Sequence, residues 1–392
     1  MMQRFPWVAL ILLMLGCNGD DADGNEGVQL LPAGSVKFSL DDSTVITDPT
    51  MVWNSYYDLE SFFSAAKNEF LFFKREGGTL VRRVALSVEG PNGTGRIEDF
   101  AYSYAFLSAD TVLLLNSLRQ ELLVLDLAGK AVVKRIRLAN VLPEGYRFDI
   151  NPGQELQIDK CNIFLNTMPG SYDVMSDKNS LASDLICRFN FADSSIIFFG
   201  SFPALYSNGV WFDYFSKVFF CTTSDGQIVA SFPAVDSIYC YNHSGKLEKR
   251  NAVEYDDFEE VEPPGQQVLQ GNLQFALENF VTQRRLGCIF VDKYHGNRIV
   301  QLVSAKKSKE EFSMAVHGVN GSIPNPLSHP PVLLSFNAKG ERIGQQTMPD
   351  QAQRIDFAYF RNDALLMHTS SSNENEIIFK RFVWSDIGLV KL

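Results

Sequence analysis

The sequence predicts an all-β protein, a β-propeller with six blades arranged in a ring. Three observations predict it: a hairpin motif that recurs along the chain, pairs of apolar strands at similar spacing, and the near absence of helical periodicity. Repetition of one four-stranded unit is the sequence signature of propellers, in which each unit forms one blade around a central channel.

The recurring hairpin reads apolar-x-apolar-Asp/Asn-x-x-Gly-Lys/Glu. Asp or Asn opens such a turn through its side-chain oxygen, and Gly adopts the positive φ that closes it. A fourth, weaker copy has Asp193 where the glycine would stand. The four copies are Leu123–Lys130, Tyr239–Lys246, Leu334–Glu341 and Cys187–Ser194.

A second pattern consists of an aromatic-rich strand, a short turn and another apolar strand. It occurs at 104–116, 210–222, 288–303 and 355–369. Together the two patterns make units of four short strands, with the composition and period of β-structure. Two segments alone, 54–66 and 272–280, are predicted to be short helices.

The predicted units span 50–88, 98–139, 156–200, 208–252, 280–349 and 353–384. The last has three strands of its own, and we expect the alternating segment Val36–Leu40 to complete it and close the ring. Closure of this kind hides the edges that an open sheet exposes. A seventh blade would follow if the long fifth unit contained two. A β-sandwich or two smaller β domains is the alternative, but no Pro/Gly/Ser linker divides the chain after residue 35.

The first residues are typical of an export signal. Arg4 precedes the apolar run Trp7–Leu15, which is shorter than the roughly 20 residues that cross a bilayer. Met14–Cys17 resembles the bacterial lipobox, whose cysteine is acylated after cleavage; an ordinary cleaved signal is the alternative. The segment after Cys17 is acidic and glycine-rich, as flexible tethers are. The predicted segments are a lipoprotein signal peptide, a tether and a single propeller domain: 1–16, 17–34 and 35–392.

Composition and charge restrict the class of protein. Hydrophobic residues make up 45% of the 392 residues and aromatic residues 12%, against 21% charged residues. Such a chain has a large core and is not disordered. The formal net charge is −11, without a basic run, which argues against a nucleic-acid partner.

The sequence predicts no catalytic residue, metal site or cofactor. Its five histidines have no metal-ligand spacing, and motifs for nucleophilic or phosphate chemistry are missing. The five cysteines after Cys17 have no CxxC spacing; most are expected to be buried thiols, although bridges Cys161–Cys187 and Cys221–Cys240 stay open. Paired carboxylates of a glycosidase are recognised by their separation in space, so the sequence leaves that chemistry open.

The candidate binding residues lie in distinctive loops or among clustered aromatic residues. Exposed aromatic rings suit stacking with a sugar or peptide, whereas buried rings are what a propeller core requires. The loop 89–95 (EGPNGTG) either offers backbone N–H groups to a ligand or is a turn between blades. Asp213 and Asp292 are predicted on innermost strands, where they either line the rim of the central channel or hydrogen-bond a turn. The candidates are Trp53, Tyr56, Tyr57, Glu89, Asn92, Asp213, Tyr214, Asp292 and Tyr294.

Three of these features together resemble a Bacteroidota lipoprotein family of unknown function, DUF4221, which has relatives among six-bladed propeller lipoproteins. They are the lipobox at Cys17, the EGPNG segment (89–93) and hairpins such as Leu123–Lys130. EGPNG is the most specific element, and the resemblance spans nearly all of the mature chain. It implies a lipoprotein of the outer membrane or cell surface, and it carries no catalytic residues to transfer.

The leading hypothesis is therefore a lipid-anchored, non-catalytic binding module of the cell envelope. Its lipid partner would be the membrane, and its ligand a peptide, a protein or a glycan held across one face of the ring. One rival is an envelope enzyme, such as a glycosidase or lyase with carboxylates in the central channel. Another is a structural component of an outer-membrane complex.

Overall fold

The computed structural model describes residues 27–144, 146–151, 154–169, 184–211, 215, 217–255, 258, 261–263, 273–304, 306, 308–317, 330–348, 358–361, 364–369, 371 and 373–386. In these residues the strands form six separate sheets around a central channel, which confirms the six-bladed propeller. Cys17 and the predicted signal peptide 1–16 lie outside them.

The chain enters with β1, Leu30–Ser39, and then builds the blades in order. Blade 1 consists of β2–β5: Met51–Asn54, Leu59–Ser64, Glu69–Lys74 and Leu80–Ala85. Blade 2 consists of β6–β9: Tyr102–Phe106, Thr111–Asn116, Glu121–Asp126 and Ala131–Arg137. Blade 3 consists of β10–β14: Tyr146–Asp149, Gln157–Asp159, Asn162–Pro169, Asp184–Asn190 and Ile196–Ser201.

The remaining blades follow the same plan. Blade 4 consists of β15–β18: Phe219–Thr222, Ile228–Ser231, Ser237–Tyr241 and Leu247–Ala252. Blade 5 consists of β19–β22: Leu286–Asp292, Arg298–Val303, Val332–Phe336 and Arg342–Thr347. Blade 6 consists of β1 and β23–β25: Ala358–Arg361, Ala364–Thr369 and Glu376–Trp384. The innermost strand of each blade borders the channel: β2, β6, β15, β19 and β23, with β10 and β11 together in blade 3. We call the end of the ring at which these innermost strands terminate the upper face.

The ring closes as predicted. β1 pairs antiparallel with β25, with Val36 opposite Phe379 and Ser39 opposite Glu376. The strand begins at Leu30, however, and Gly27 forms a bridge to Gly344 on the outer strand of blade 5. Part of the segment 17–34 that the sequence assigns to the tether is therefore paired with blades 5 and 6.

Blade 3 departs from the four-stranded plan because its innermost strand is split. β10 and β11 both pair with β12, near its two ends. Between them the backbone N–H of Gln154 donates to the carbonyl of Asn151 (3.1 Å), the hydrogen bond that closes a β-turn. This interruption brings Gln154 and Glu155 to the channel wall.

The hairpin motif gives two kinds of turn where the sequence predicts one. Gly245 and Gly340 adopt the positive φ, as expected. In the other two copies the positive φ falls one residue later, on Lys130 and Ser194. In the copy 123–130, Asp126 lies opposite Ala131, so the loop between them has four residues. The residue with positive φ, Lys130, is the last of the four.

Two α-helices occur in the described residues, α1 (Leu273–Thr282) and α2 (Lys309–His317). α1 confirms the helix predicted at 272–280. The helix predicted at 54–66 is wrong: Leu59–Ser64 is a strand buried on both faces, so its apolar and polar residues lack the alternation that identifies strands. α2 begins with a capping box in which Ser308 and Glu311 bond each other's backbone N–H (3.1 and 2.6 Å).

The innermost strand of blade 4 does not begin where the sequence predicts it, at residue 210. The innermost strand of blade 4 is β15, which begins at Phe219. Trp211 and Phe215 are fully buried in the core cluster shared by blades 3 and 4. Core packing thus explains the aromatic residues Trp211 and Phe215; the candidates Asp213 and Tyr214 lie outside the described residues.

The five described cysteines are free thiols, and Cys161 alone is exposed. Neither bridge left open by the sequence fits the register. Cys221 and Cys240 both face Val229 across its strand, so they are separated by two strand spacings, about 9–10 Å. A disulfide needs Cα atoms within about 7 Å. No helix among the described residues is long and apolar enough to span a bilayer.

Candidate functional site

A cavity of about 300 Å³ lies in the central channel toward the upper face, and we call it the channel mouth. Blades 1, 3, 4, 5 and 6 all contribute to its wall. Its lining residues are Met51, Trp53, Ser55, Glu60, Gln154, Glu155, Gln157, Cys221, Thr222, Phe290, Val291, Lys293, Tyr294, Ala358, Tyr359, Phe360 and Arg361.

Aromatic rings form much of this wall. Trp53 is half-buried, and its indole N–H donates to Asp58 (3.2 Å). Tyr294 is 48% exposed. The ring of Phe360 stacks on buried Trp384 with 5.9 Å between centroids, which fixes its orientation. Two of the aromatic candidates, Trp53 and Tyr294, thus lie at the channel mouth.

Two turns on the upper face have the same construction. In blade 1 the side-chain oxygen of Asn54 accepts the backbone N–H groups of Tyr56 and Tyr57 (3.1 and 3.3 Å). In blade 5 Asp292 does the same for Tyr294 and His295 (3.0 and 3.1 Å). Each turn fixes a tyrosine on the upper face because a side chain at the end of the innermost strand replaces a backbone acceptor.

Asp292 is fully buried and all its contacts are structural. Besides the turn, its second carboxylate oxygen accepts the indole N–H of Trp384 (2.6 Å) and contacts Nδ1 of His295 (2.7 Å). Of the two roles that the sequence left open for Asp292, the geometry supports the turn. It holds Lys293 and Tyr294 at the channel mouth without lining the mouth itself.

Lys293 is the positive group of the channel mouth. Its ammonium donates to the hydroxyl oxygen of Thr222 (3.1 Å). That hydroxyl in turn donates to the side-chain oxygen of Gln157 (2.9 Å), which also accepts the backbone N–H of Thr222 (3.2 Å). Because three blades supply these residues, the position of the ammonium is set by the ring and not by one loop.

Glu155 is the acidic group across from it. It reaches the solvent of the channel, yet the blades surround it, and this loss of bulk solvation raises the pKa of its carboxyl group. The charge of Lys293 acts in the opposite direction. Burial also raises the pKa of the neighbouring Cys221 thiol, to about 12, so this cysteine is neutral.

A second pair of charges lines the cavity more deeply. The carboxylate of Glu60 forms an ion pair with the guanidinium of Arg361, and their side chains are 0% and 5% exposed. Glu60 belongs to blade 1 and Arg361 to blade 6. Because its charge is already compensated, Glu60 adds little negative potential to the mouth.

Tyr56 and Tyr57 join blades 1 and 2 on the upper face. The hydroxyl of Tyr56 donates to the carbonyl of Leu107 (2.8 Å), and that of Tyr57 to the carboxylate of Asp110 (2.9 Å). This hydrogen bond raises the pKa of Tyr57. Arg82 pairs with Asp110 (2.8 Å) and lowers the pKa of that carboxyl group. Both rings are exposed, but neither lines the channel mouth.

Glu89 and Asn92 lie outside the lining of the channel mouth, in the loop from blade 1 to blade 2. The carbonyl of Asn92 accepts the backbone N–H of Val132 (2.9 Å), and the carbonyl of Gly93 accepts the guanidinium of Arg135 (2.6 Å). The EGPNG segment thus fastens blade 1 to the outer strand of blade 2. This geometry agrees with the turn interpretation, and both side chains are exposed.

The structure therefore brings together two of the candidate residues, Trp53 and Tyr294, with Asp292 beneath them. Sequence reasoning missed the charged residues of the mouth: Glu60, Glu155, Lys293 and Arg361. A signal existed for Arg361, because it stands at the end of an otherwise apolar or aromatic strand. No group of three or more potential metal ligands occurs among the described residues.

Comparison with solved structures shows the same ring. A member of the DUF4221 family from Bacteroides vulgatus superposes with a TM-score of 0.72 at 15% identity, covering 92% of this chain and 99% of that one. A presumed exported protein of Bacteroides fragilis gives 0.54 at 11% identity, covering 94% and 96%. At such identities the likeness shows the fold alone. Among curated proteins, none matches this chain in sequence.

The family model of DUF4221, a domain of unknown function, matches residues 28–294. The match runs from the closing strand at the N-terminus into the fifth blade, and it covers more than half of the chain. The resemblance inferred from the EGPNG loop and the hairpins is confirmed, and this six-bladed propeller belongs to the DUF4221 family.

Proposed function

We propose that this protein is a non-catalytic binding module that holds its ligand at the channel mouth. The observation that carries the proposal is the composition of that cavity: aromatic side chains beside the ammonium of Lys293 and the carboxyl group of Glu155, all held by a rigid ring. Ligand sites are typically concave, mostly apolar and supplied with a few fixed polar groups.

The volume bears on the kind of ligand. About 300 Å³ is at the lower end of the range for small-molecule sites. A cavity of this size holds one or two residues of a larger molecule, with the rest of that molecule lying across the upper face. The exposed rings of Tyr56 and Tyr57 on that face provide further contact area.

We further propose that the module works at the cell envelope, anchored by lipid on Cys17. Support comes from the apolar run and lipobox at 7–17, and from the likeness to a Bacteroides fragilis protein that is presumed to be exported. The acidic segment after Cys17 would let the ring stand off the membrane. The outer membrane is the expected location.

The channel mouth can be tested through its own tryptophan. Trp211 and Trp384 are fully buried, whereas Trp53 is half-buried and lines the cavity. We expect a ligand at the mouth to change the emission of Trp53 in titrations with short peptides and with neutral and acidic oligosaccharides. The variant Trp53→Phe should lose that signal, while Trp384 and Trp211 continue to report an intact fold.

The rival class, an enzyme with carboxylates in the channel, can be tested with the same panel. Glu60 is held by Arg361 and Asp292 by a turn, so Glu155 is the described carboxyl group best placed for such a role. If a panel member is turned over and Glu155→Gln abolishes the turnover, the non-catalytic proposal is wrong. If no panel member changes the emission of Trp53, the binding proposal itself fails.

A further inference from the structure

We propose that the channel mouth captures the C-terminal carboxylate of a peptide whose last side chain is apolar. The proposal rests on the binding function above and names the ligand class. It follows from the hydrogen bonds of Lys293, the walls of the cavity and the position of Glu155.

The hydrogen bonds around Lys293 leave its ammonium able to bind an anion. The hydroxyl of Thr222 uses its single proton on Gln157, so it can only accept from Lys293. An ammonium carries three N–H donors, and this contact uses one. Within the described part of the chain, no carboxylate lies within 4.0 Å of the Lys293 nitrogen. The Thr222 contact therefore leaves two N–H donors that a ligand acceptor can use, and a carboxylate gives the stronger bond.

The walls of the cavity favour an apolar side chain next to that carboxylate. Trp53, Phe290 and Phe360 face the same space as Lys293, and Met51 and Val291 add further apolar surface. A sugar would bring several hydroxyl groups, each of which needs a hydrogen-bond partner when it is buried. Several polar groups of the wall are already paired with each other, so the apolar surface beside Lys293 suits the last residue of a peptide better than a saccharide.

Glu155 distinguishes a peptide from a simple alkyl acid. The last residue of a peptide carries a backbone N–H close to its terminal carboxylate. Glu155 offers an acceptor for this N–H in the same cavity as Lys293. An alkanoate has the carboxylate and the apolar body but no such donor. The neighbouring Glu60 does not oppose the ligand, because Arg361 pairs with it.

The experiment compares two tripeptides that differ in one group: N-acetyl-Gly-Gly-Phe as the free acid and as the C-terminal amide. Binding is followed by Trp53 emission and by calorimetry in the full mature chain. We expect the free acid to bind at least about ten-fold more tightly. Lys293→Met should remove this preference, and Lys293→Arg should retain part of it.

Lys246→Met is the matched control. This lysine lies in the third turn of blade 4 on the same face, is exposed, and lies outside the lining of the mouth. The control should keep the preference of the wild type. Circular dichroism and the melting temperature of Lys293→Met establish that a lost preference does not reflect unfolding.

Three results would overturn the inference. They are equal affinity for acid and amide, hexanoate binding as tightly as the tripeptide acid, and a uronate oligosaccharide binding while the peptides do not. In the first and third cases a change in Trp53 emission still supports a binding site at the mouth, so the broader proposal survives. If no probe changes the emission of Trp53, both the peptide inference and the broader binding proposal fail.

Discussion

Glu60 and Arg361 form an ion pair in the channel that joins the first blade to the last. The same seam is held on its outer side by β1, which leads into blade 1 after completing blade 6. A further contact crosses this seam: the hydroxyl of Tyr359 in blade 6 accepts the backbone N–H of Met51 in blade 1 (3.0 Å). Polar contacts at the channel and strand pairing at the rim thus close one ring.

Removing one partner of the inner pair should destabilise the ring. In Arg361→Met, the buried carboxylate of Glu60 keeps its charge without compensation, and such changes cost about 3–5 kcal/mol. We expect the double variant Glu60→Leu/Arg361→Met to recover much of this loss. Equilibrium unfolding in guanidinium, followed by the fluorescence of buried Trp384, measures both.

Arg96 provides the comparison for that experiment. It pairs with Glu98 on the surface, with side chains 83% and 49% exposed. Pairs of this kind contribute less than about 1 kcal/mol, so Arg96→Met should unfold almost as the wild type does. An Arg361→Met variant as stable as Arg96→Met would show that the channel pair does not hold the seam.

Phe38 should be the side chain through which β1 stabilises the ring. It is fully buried, and its ring lies 5.2 Å from that of Phe62, 5.5 Å from Phe73 and 6.0 Å from Phe379. Phe38→Ala leaves a cavity between blades 1 and 6, at a cost of about 3–5 kcal/mol. The measurement is the thermal midpoint, with limited proteolysis to locate the blade that opens first.

Lys37 is the matched neighbour for this test. It is 58% exposed on the other face of β1 and forms a surface ion pair with Glu376 (3.7 Å). Lys37→Ala should lower the midpoint far less than Phe38→Ala. Equal effects of the two substitutions would mean that strand pairing, and not the buried ring, secures the closure.

The blades were predictable from the sequence because each hairpin signals itself locally. Asn337 shows why: its side-chain oxygen accepts the backbone N–H groups of Lys339 and Glu341 (2.9 and 3.1 Å), a contact within five residues. The strand 59–64 was misjudged because both of its faces are buried, so its polar residues Glu60, Ser61 and Ser64 do not alternate with apolar ones.

The channel mouth was only partly predictable, because it assembles residues that are distant along the chain. Thr222 and Lys293 are 71 positions apart, and Thr222 and Gln157 are 65 apart. Turns can be inferred from neighbours, but a hydrogen bond between blades depends on the position of each blade in the ring. Trp53 and Tyr294 were candidates from the sequence because clustered aromatic residues are conspicuous without knowledge of the fold.

Lipid on Cys17 should decide where the mature protein is found. If the thiol at residue 17 is acylated, the wild type will partition with membranes and incorporate labelled fatty acid, since two or three acyl chains anchor firmly. Cys17→Ala should appear in the soluble fraction of the cell, without label. Cys161→Ala, which changes an exposed thiol on the ring, is the control and should stay with the membrane.

Binding of the peptide acid should strengthen as the pH falls, through Glu155. The pKa of this carboxyl group is already raised by burial, and a ligand carboxylate beside it raises the pKa further, so binding takes up a proton. Affinity therefore increases as the pH decreases through the range above the usual value for glutamate. It should fall again only when the ligand carboxylate, with a pKa of about 3.5, is itself protonated.

Glu155→Gln tests the origin of this dependence. The amide keeps an oxygen that accepts the peptide N–H but carries no charge, so the variant should bind tightly at neutral pH and show a flat profile. The Cys221 thiol stays neutral, and the Glu60–Arg361 pair is shared by both proteins. His295 is another titratable side chain near the mouth, and it is held by Asp292 (2.7 Å). If the pH dependence of binding persists in Glu155→Gln and disappears in His295→Gln, His295 takes up the proton and the role of Glu155 is contradicted.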